Sequence, residues 1–308
     1  MSKIIIGTRK SALALWQTHH IEALLKTAYP TLSTDIITFT TRGDVILDKA
    51  LPAIGGKGIF TETLENALRA GEIDYAVHSL KDMPTDESAG LTIGAITQRA
   101  SAHDVLISKG NLTLDQLPHG ATIGTSSRRR AAQLCAYRPD FVCIDIRGNV
   151  NTRIEKALAP DSPYHAIVLA EAGIDRLGLL GMVAQTISFD IMLPAPGQGA
   201  LAVQCKNDAH HLAQLRPITD SHTTLCVTAE RLFLSALGGG CSLPVGAYAT
   251  IPPQGAMLSL RGRVCALDGG HVIDVVGECR ADMADVTRLA HELAQQAISN
   301  GAKRLVST

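Results

Sequence analysis

The chain has 308 residues, 46% of them hydrophobic and 19% charged, and its 28 Lys and Arg against 29 Asp and Glu leave a net charge of −1. That length exceeds one ordinary core and points to two or three domains. The charge balance excludes a bulk basic field that would gather nucleic acid, so any cationic chemistry is local.

The opening "MSKIIIGTRKSALALW" lacks the long apolar run of a secretory signal, because Arg9 and Lys10 interrupt it. "KIIIG" predicts a buried strand, and residues 12–25 a helix with Leu13, Trp16, Ile21 and Leu24 on one face. "STDIITFTT" and "YAVHS" predict further strands, with a helix over residues 61–70 between them. "ATIGT", "FVCIDI" and "AIVLA" continue the alternation, which implies α/β layers with mainly parallel sheets. The most apolar stretch, residues 177–205, is broken by Asp190, Pro194, Pro196 and several glycines, so it predicts no membrane span. Residues 207–222 are polar and His-rich, like a linker. A helix over 225–237, the loop "GGGCSLPVG", the alternating strands "LSLRGRVCAL" and "HVIDVVGECR" and a closing helix over 282–300 predict a small α+β domain.

Seven cysteines without a Cys-x-x-Cys pair argue against a disulfide framework or a zinc site, and for a reducing cytoplasm. Cys135, Cys143 and Cys205 read as small buried hydrophobes. The pairs His19–His20 and His210–His211 read as surface residues, and no metal site is expected.

One internal echo stands out. "IIIGTRKSALAL" and "ATIGTSSRRRAAQL" are each an apolar strand, then Ile-Gly-Thr, then hydroxyl and basic residues, then a helix. Ile6 and Ile123 lie about one domain length apart, which suggests two similar lobes, each aiming a helix N-terminus at a shared cleft.

In the second copy, Arg128, Arg129 and Arg130 occupy the first turn of a helix capped by Ser126 or Ser127. A helix N-terminus already carries roughly half a positive charge, so cations there call for an anion. "VHSLKDMPT" places Lys81 beside Asp82 just past a strand, and the neighbouring cation keeps such a carboxylate ionised. "IRGNVNTRIEKAL" adds Arg147 and Arg153, with Asn149 or Asn151 ending the loop. Several guanidinium groups near strand ends suit a ligand with several carboxylates or phosphates. In "LGGGCSLPVG" the glycines and Pro244 display Cys241 on a tight loop, where a nucleophilic or attachment role is expected. A plain anion-binding module would need neither that cysteine nor Asp82. A cysteine-dependent acyl transferase would need a base near Cys241, and no histidine fits.

These segments, together with "IGTRKSALALWQ", "GGKGIFTETLENAL" and "LPAPGQGALAV", closely resemble the porphobilinogen deaminase (hydroxymethylbilane synthase) family from the N-terminus to about residue 246. The resemblance implies two periplasmic-binding-protein-like lobes, residues 1–97 plus 198–216 and 102–193, with a small α+β domain at 220–308. It implies a transferase that joins four porphobilinogen units stepwise, each losing ammonia through a cationic azafulvene, into hydroxymethylbilane. The primer is a dipyrromethane cofactor held through Cys241.

By the same resemblance Asp82 is the catalytic carboxylate, with Lys81 beside it. Lys81, Asp82, Thr125, Ser127, Arg129, Arg130, Arg147 and Gly148 would hold the cofactor. Arg9, Ser11, Gln17, Arg147, Arg153 and Arg176 would bind substrate, and Lys57 and Phe60 lie in a segment matching a mobile active-site loop. The family's pattern has an apolar residue where Arg128 stands, and Gly238 and Thr63 also depart from it. Arg129 and Arg130 are therefore expected to reach substrate or cofactor carboxylates, while Arg128 points away, toward solvent or a neighbouring acidic side chain. A monomer acting on a small molecule, with neither nucleic acid nor membrane as partner, completes the expectation.

Overall fold

A computed structural model describes residues 3–41, 61–86, 88–239, 243–253 and 255–306. Lys57, Phe60 and Cys241 lie outside the described residues. Two five-stranded sheets and one three-stranded sheet form among the described residues.

The first sheet runs β2 (Thr34–Phe39), β1 (Ile4–Arg9), β3 (Tyr75–Ser79), β10 (Leu201–Lys206), β4 (Leu91–Ile96). The second runs β7 (Val142–Ile144), β6 (Thr122–Gly124), β8 (Ala166–Ala170), β5 (Asp104–Ser108), β9 (Gln185–Ile187). Both follow one plan. In the first lobe β1, and in the second β6, pairs in parallel with the two strands that follow it, and one strand next to a crossing is inserted antiparallel. That strand is β10 in the first lobe and β5 in the second. The chain therefore passes between lobes twice, through residues 97–103 and 188–200, as the expected two-lobed binding-protein plan requires.

The internal echo is structural. Ile6 on β1 and Ile123 on β6 are both fully buried. A Cβ at Gly7 would stand 2.3 Å from Ile73, and one at Gly124 would stand 2.8 Å from Ile167, so each strand needs its glycine for close packing. A capped helix follows each strand. Ser11 accepts from Ala14 N ahead of α1 (Ala12–Ala28), and α2 (Glu62–Ala70) follows in the same lobe. Ser127 accepts from Arg130 N ahead of α3 (Arg128–Tyr137), and Asn149 accepts from Thr152 N ahead of α4 (Val150–Leu158).

The packed stripe of α1 differs from the expected one. Gln17, Thr18, Ile21 and Leu25 are its buried residues. Trp16 is 38% exposed and its ring lies 5.6 Å from the Arg176 guanidinium, while Leu13 faces Gly173. Arg176 and Gly173 belong to α5 (Glu171–Arg176) of the second lobe. Of the expected face, Ile21 and Leu24 pack in the first lobe's core, whereas Leu13 and Trp16 line the boundary between lobes.

The predicted linker is also structured. Residues 209–215 form α6 (Ala209–Leu215), capped by Asp208 and packed on β4 and β10. The next helix, α7 (Ser221–Ala236), begins four residues ahead of the predicted start at 225, with Asp220 as its cap. His211 is only partly exposed, bonding Asp208 and meeting the Tyr75 ring edge-on.

In the third domain β11 (Val245–Thr250), β12 (Met257–Cys265) and β13 (Val272–Arg280) form an antiparallel meander under α7 and α8 (Met283–Ser299). Along β13, Ile273 and Val275 are buried while Val272, Asp274 and Val276 are exposed, the period of a one-sided sheet. Phe233 of α7 fills the space over Gly262, where a Cβ would come within 2.4 Å of its ring. Burying such a ring contributes about 1.5–3 kcal/mol. A short helix, α9 (Ala302–Val306), closes the described chain. Cys205, Cys226, Cys265 and Cys279 are buried, whereas Cys135 and Cys143 are half-buried at the base of α3. No helix among the described residues is long and apolar enough to cross a membrane.

Candidate active site

The cleft is assembled from strand ends. β3 delivers the chain into a single 3-10 turn, Leu80–Asp82, because Leu80 is fully buried and Pro84 blocks a longer helix. Leu80 N bonds Ala200 O at 3.1 Å. From beneath, Arg231 of α7 donates to Met83 O at 3.2 Å and Pro84 O at 2.6 Å. This grip leaves Asp82 exposed toward the cleft and Lys81 half-buried beside it. Burial, together with the charge of Arg130, pushes the Lys81 ammonium down to about 8, against the opposing pull of Asp82 and Asp104.

Arg9 ends β1 on the same rim. Ser11 is occupied as the α1 cap. Gln17, expected as a substrate ligand, is only 4% exposed, and its amide nitrogen donates to Ser79 Oγ at 2.8 Å. It fixes the end of β3 rather than opening onto the cleft.

The three arginines divide as the helical geometry requires, since successive residues turn by about 100°. Arg128 is exposed. Arg129 and Arg130 are 4% and 6% exposed, and the anion they meet is the protein's own Asp104, itself fully buried. Arg129 Nη1 donates to Asp104 Oδ2 at 2.7 Å and to Leu193 O at 2.6 Å. Arg130 Nε and Nη2 reach Asp104 Oδ1 at 3.0 and 2.7 Å, and its Nη1 reaches Val168 O at 2.9 Å. The expectation that both present open forks to a ligand is thus corrected: an internal carboxylate takes most of that capacity. Burial alone would raise the Asp104 carboxyl, but Arg129 and Arg130 outweigh it and hold it below the ordinary range. Thr125 and Ser127 are likewise engaged, Thr125 Oγ1 accepting from Ser127 N at 3.2 Å and Ser127 Oγ capping α3.

Arg153 lies on α4 and its Nε donates to Gly148 O at 2.8 Å, where Gly148 adopts φ 124°. It pairs with no carboxylate among the described residues. Burial and the like charges of Arg130 and Arg147 lower its guanidinium to about 10, while Asp82 opposes them. Asp82 of one lobe therefore acts on Arg153 of the other, and Arg130 acts on Lys81 in return. Arg176 bridges the lobes, donating to Gly199 O at 2.8 Å, and burial brings it to about 10.

Crowded cations with few carboxylates among them describe a site for a polyanion. Four carboxylates on two pyrrole rings match that donor set, so a dipyrromethane fits here. Gly238 and Gly239 adopt φ 107° and 61°, and a Cβ on Gly239 would stand 3.0 Å from Thr85 Oγ1, three residues past Asp82.

Sequence reasoning missed Asp104, Gln198, Arg99 and Glu230. Asp104 left one trace, an acid at the head of the apolar run "DVLIS". Gln198 stood inside the quoted "LPAPGQGALAV" without a role.

Residues 4–214 match the family described as "Porphobilinogen deaminase, dipyromethane cofactor binding domain", and residues 224–298 match "Porphobilinogen deaminase, C-terminal domain". A porphobilinogen deaminase of Roseiflexus sp. (strain RS-1) is 44% identical over 99% of this chain and 98% of its own. One from Desulforamulus reducens is 45% identical over 99% of this chain and 97% of its own. Among solved structures, the methionine binding protein MetQ is 13% identical with a TM-score of 0.42, covering 74% of this chain and 94% of its own. On the full-length identity and both matched domains, this chain belongs to the porphobilinogen deaminase family.

Proposed function

We propose that the protein condenses four porphobilinogen molecules stepwise into linear hydroxymethylbilane, releasing ammonia at each step, as a cytoplasmic monomer. The observation that carries this reading is Asp82, fixed at the lip of one lobe and facing the arginine cluster of the other. The dipyrromethane, held by a thioether to Cys241, supplies a free pyrrole α-carbon as the first nucleophile.

The chain's own residues divide the work. Arg9, Arg147, Arg153 and Arg176 bind acetate and propionate groups, with Ser11 setting the helix end beside them. Gly148 lets the backbone approach closely. Thr125 and Ser127 shape the turn that holds Arg129 and Arg130, whose charge exceeds that of Asp104 by one unit and adds to the field over the cofactor carboxylates. Asp82 accepts from pyrrole N–H groups and stabilises the positive charge that develops when ammonia leaves. Lys81 holds a neighbouring carboxylate.

Intact-mass measurement tests this. The native protein should carry the added mass of two pyrrole units, and Cys241→Ala should fold without adduct or product. An adduct that persists on the Ala variant rejects the attachment. A native chain with neither adduct nor turnover would instead favour a two-lobed carboxylate-binding module.

A further inference from the structure

Gln198 is fully buried where the two crossings touch. Its Oε1 accepts from Lys81 Nζ at 3.2 Å. Its Nε2 donates to Asp104 Oδ1 at 3.0 Å and to Ala102 O at 2.8 Å, with His103 O at 3.3 Å. Its backbone carbonyl takes Arg99 Nε at 2.8 Å. The flanking Gly197 and Gly199 adopt φ 77° and 90°, and a Cβ on Gly199 would fall 2.6 Å from Ala100 O. The second crossing therefore lies directly on the first. One amide spans the reacting turn of the first lobe and the buried ion cluster of the second.

We propose that Gln198 is the positioning residue for Lys81, and that it couples the placement of Lys81 to the Arg129–Asp104–Arg130 cluster across the hinge. The proposal rests on the reading above that Lys81 belongs to the reacting site.

The chemistry of the position selects an amide. It must offer an acceptor to an ammonium and donors to a carboxylate and a carbonyl, which glutamate and lysine cannot do together. Lys81 is a mobile point charge on a four-carbon stem. The charges facing it are Asp82 on its own turn, Asp104 at the head of β5, and Arg129 and Arg130 on α3. The two arginines repel it, and Gln198 Oε1 gives it a fixed acceptor on the side where they stand. Rotation of one lobe against the other shifts Asp104 and the carbonyls of residues 102 and 103 relative to Lys81. The amide that bonds both sides carries that shift to the ammonium.

The test uses the cofactor-bearing protein, with pH-dependent acetylation of Lys81 by acetic anhydride read by peptide mass spectrometry, alongside kcat and KM. Gln198→Met keeps the shape and removes every side-chain hydrogen bond. Its Lys81 should titrate below about 8, and kcat should fall by about 10²-fold, the usual cost of a displacement near 1 Å, with KM moving less. Gln198→Asn keeps the amide and shortens its reach by one methylene, so its Lys81 should likewise titrate below about 8, which keeps the test open if the Met variant fails to fold. The coupling itself predicts that Gln198→Met and Asp104→Asn act non-additively on Lys81 titration. Unmoved Lys81 titration in the folded variants, or strict additivity, overturns the proposal. A moved titration with wild-type turnover supports the coupling and instead overturns the part given to Lys81 in the reaction.

Discussion

Glu230 and Arg99 meet in a two-point ion pair, with Nη1–Oε1 and Nη2–Oε2 separations of 2.6 and 3.2 Å. Glu230 is fully buried, and its carboxylate also accepts from Gly197 N at 2.7 Å and Ala249 N at 2.8 Å. One side chain of the third domain thus holds the first crossing, the second crossing and β11 together. Its chain neighbour Arg231 grips the turn that carries Asp82. Glu230→Ala would strand a buried guanidinium and two amides. The expected loss is about 3–5 kcal/mol, seen as a lower urea midpoint, and a midpoint within error of wild type would reject the role of this hub.

Asp82 is exposed, so Asp82→Asn should leave folding intact. Turnover should drop by about 10²–10³-fold, the usual cost of removing one electrostatic contact at a transition state, while the covalent cofactor persists. Steady-state rates with matched cofactor content decide this. Near-normal turnover would discard the assignment.

The arginine trio separates structural from surface charge. Arg129→Leu and Arg130→Leu each leave Asp104 short of a partner, so both should destabilise the protein even in a Cys241→Ala background without cofactor. Each should also impair cofactor assembly or elongation. Arg128→Leu should stay within about 0.5 kcal/mol of wild type, as surface changes do, and turn over nearly normally. Equal urea midpoints for all three in that background would contradict the buried pairing.

Acid stability should fall in two stages. Burial lowers the His78 imidazole from its ordinary 6.5 to about 4, so the unfolded chain binds that proton first. Its contribution is complete above about pH 6.5 and is lost as pH falls toward 4. Asp104, held below its ordinary 3.8, contributes above that value and loses its contribution only at still lower pH. Urea midpoints across pH for wild type and His78→Gln check the upper stage. If the variant keeps the wild-type slope between pH 6.5 and 4, His78 is not its source.

Local features were legible because their causes lie within a few residues. Asn149 and Ser127 cap the helices that follow them, as a side-chain oxygen three residues before a free amide must. The predicted helices over 61–70 and 282–300 end within a residue of the observed ones, and the first of them stops at Gly71 in the left-handed region. The family's motifs fixed attention on the cleft for the same reason, since Lys81 and Asp82 lie on one short turn. The linker reading failed at residues 209–215 because polarity was taken for disorder, whereas Asp208 caps a helix whose Leu215 is fully buried.

The sequence by itself determined an α/β alternation, capped helices and a small third domain through apolar period, caps and glycines, while the two lobes and their arginine-rich cleft were what the internal echo suggested and the family resemblance implied. It also showed that three cations at the start of α3 required an anion. Only the tertiary structure decided which anion. Asp104 lies 25 and 26 residues from its two arginines, Gln198 is 117 residues from Lys81, and Glu230 is 131 from Arg99. Those pairs form because both crossings return the chain to one hinge, where burial makes each charge depend on a partner. Local periodicity records which face of an element is apolar, but the meeting of buried charges is set by sheet order and the path between lobes.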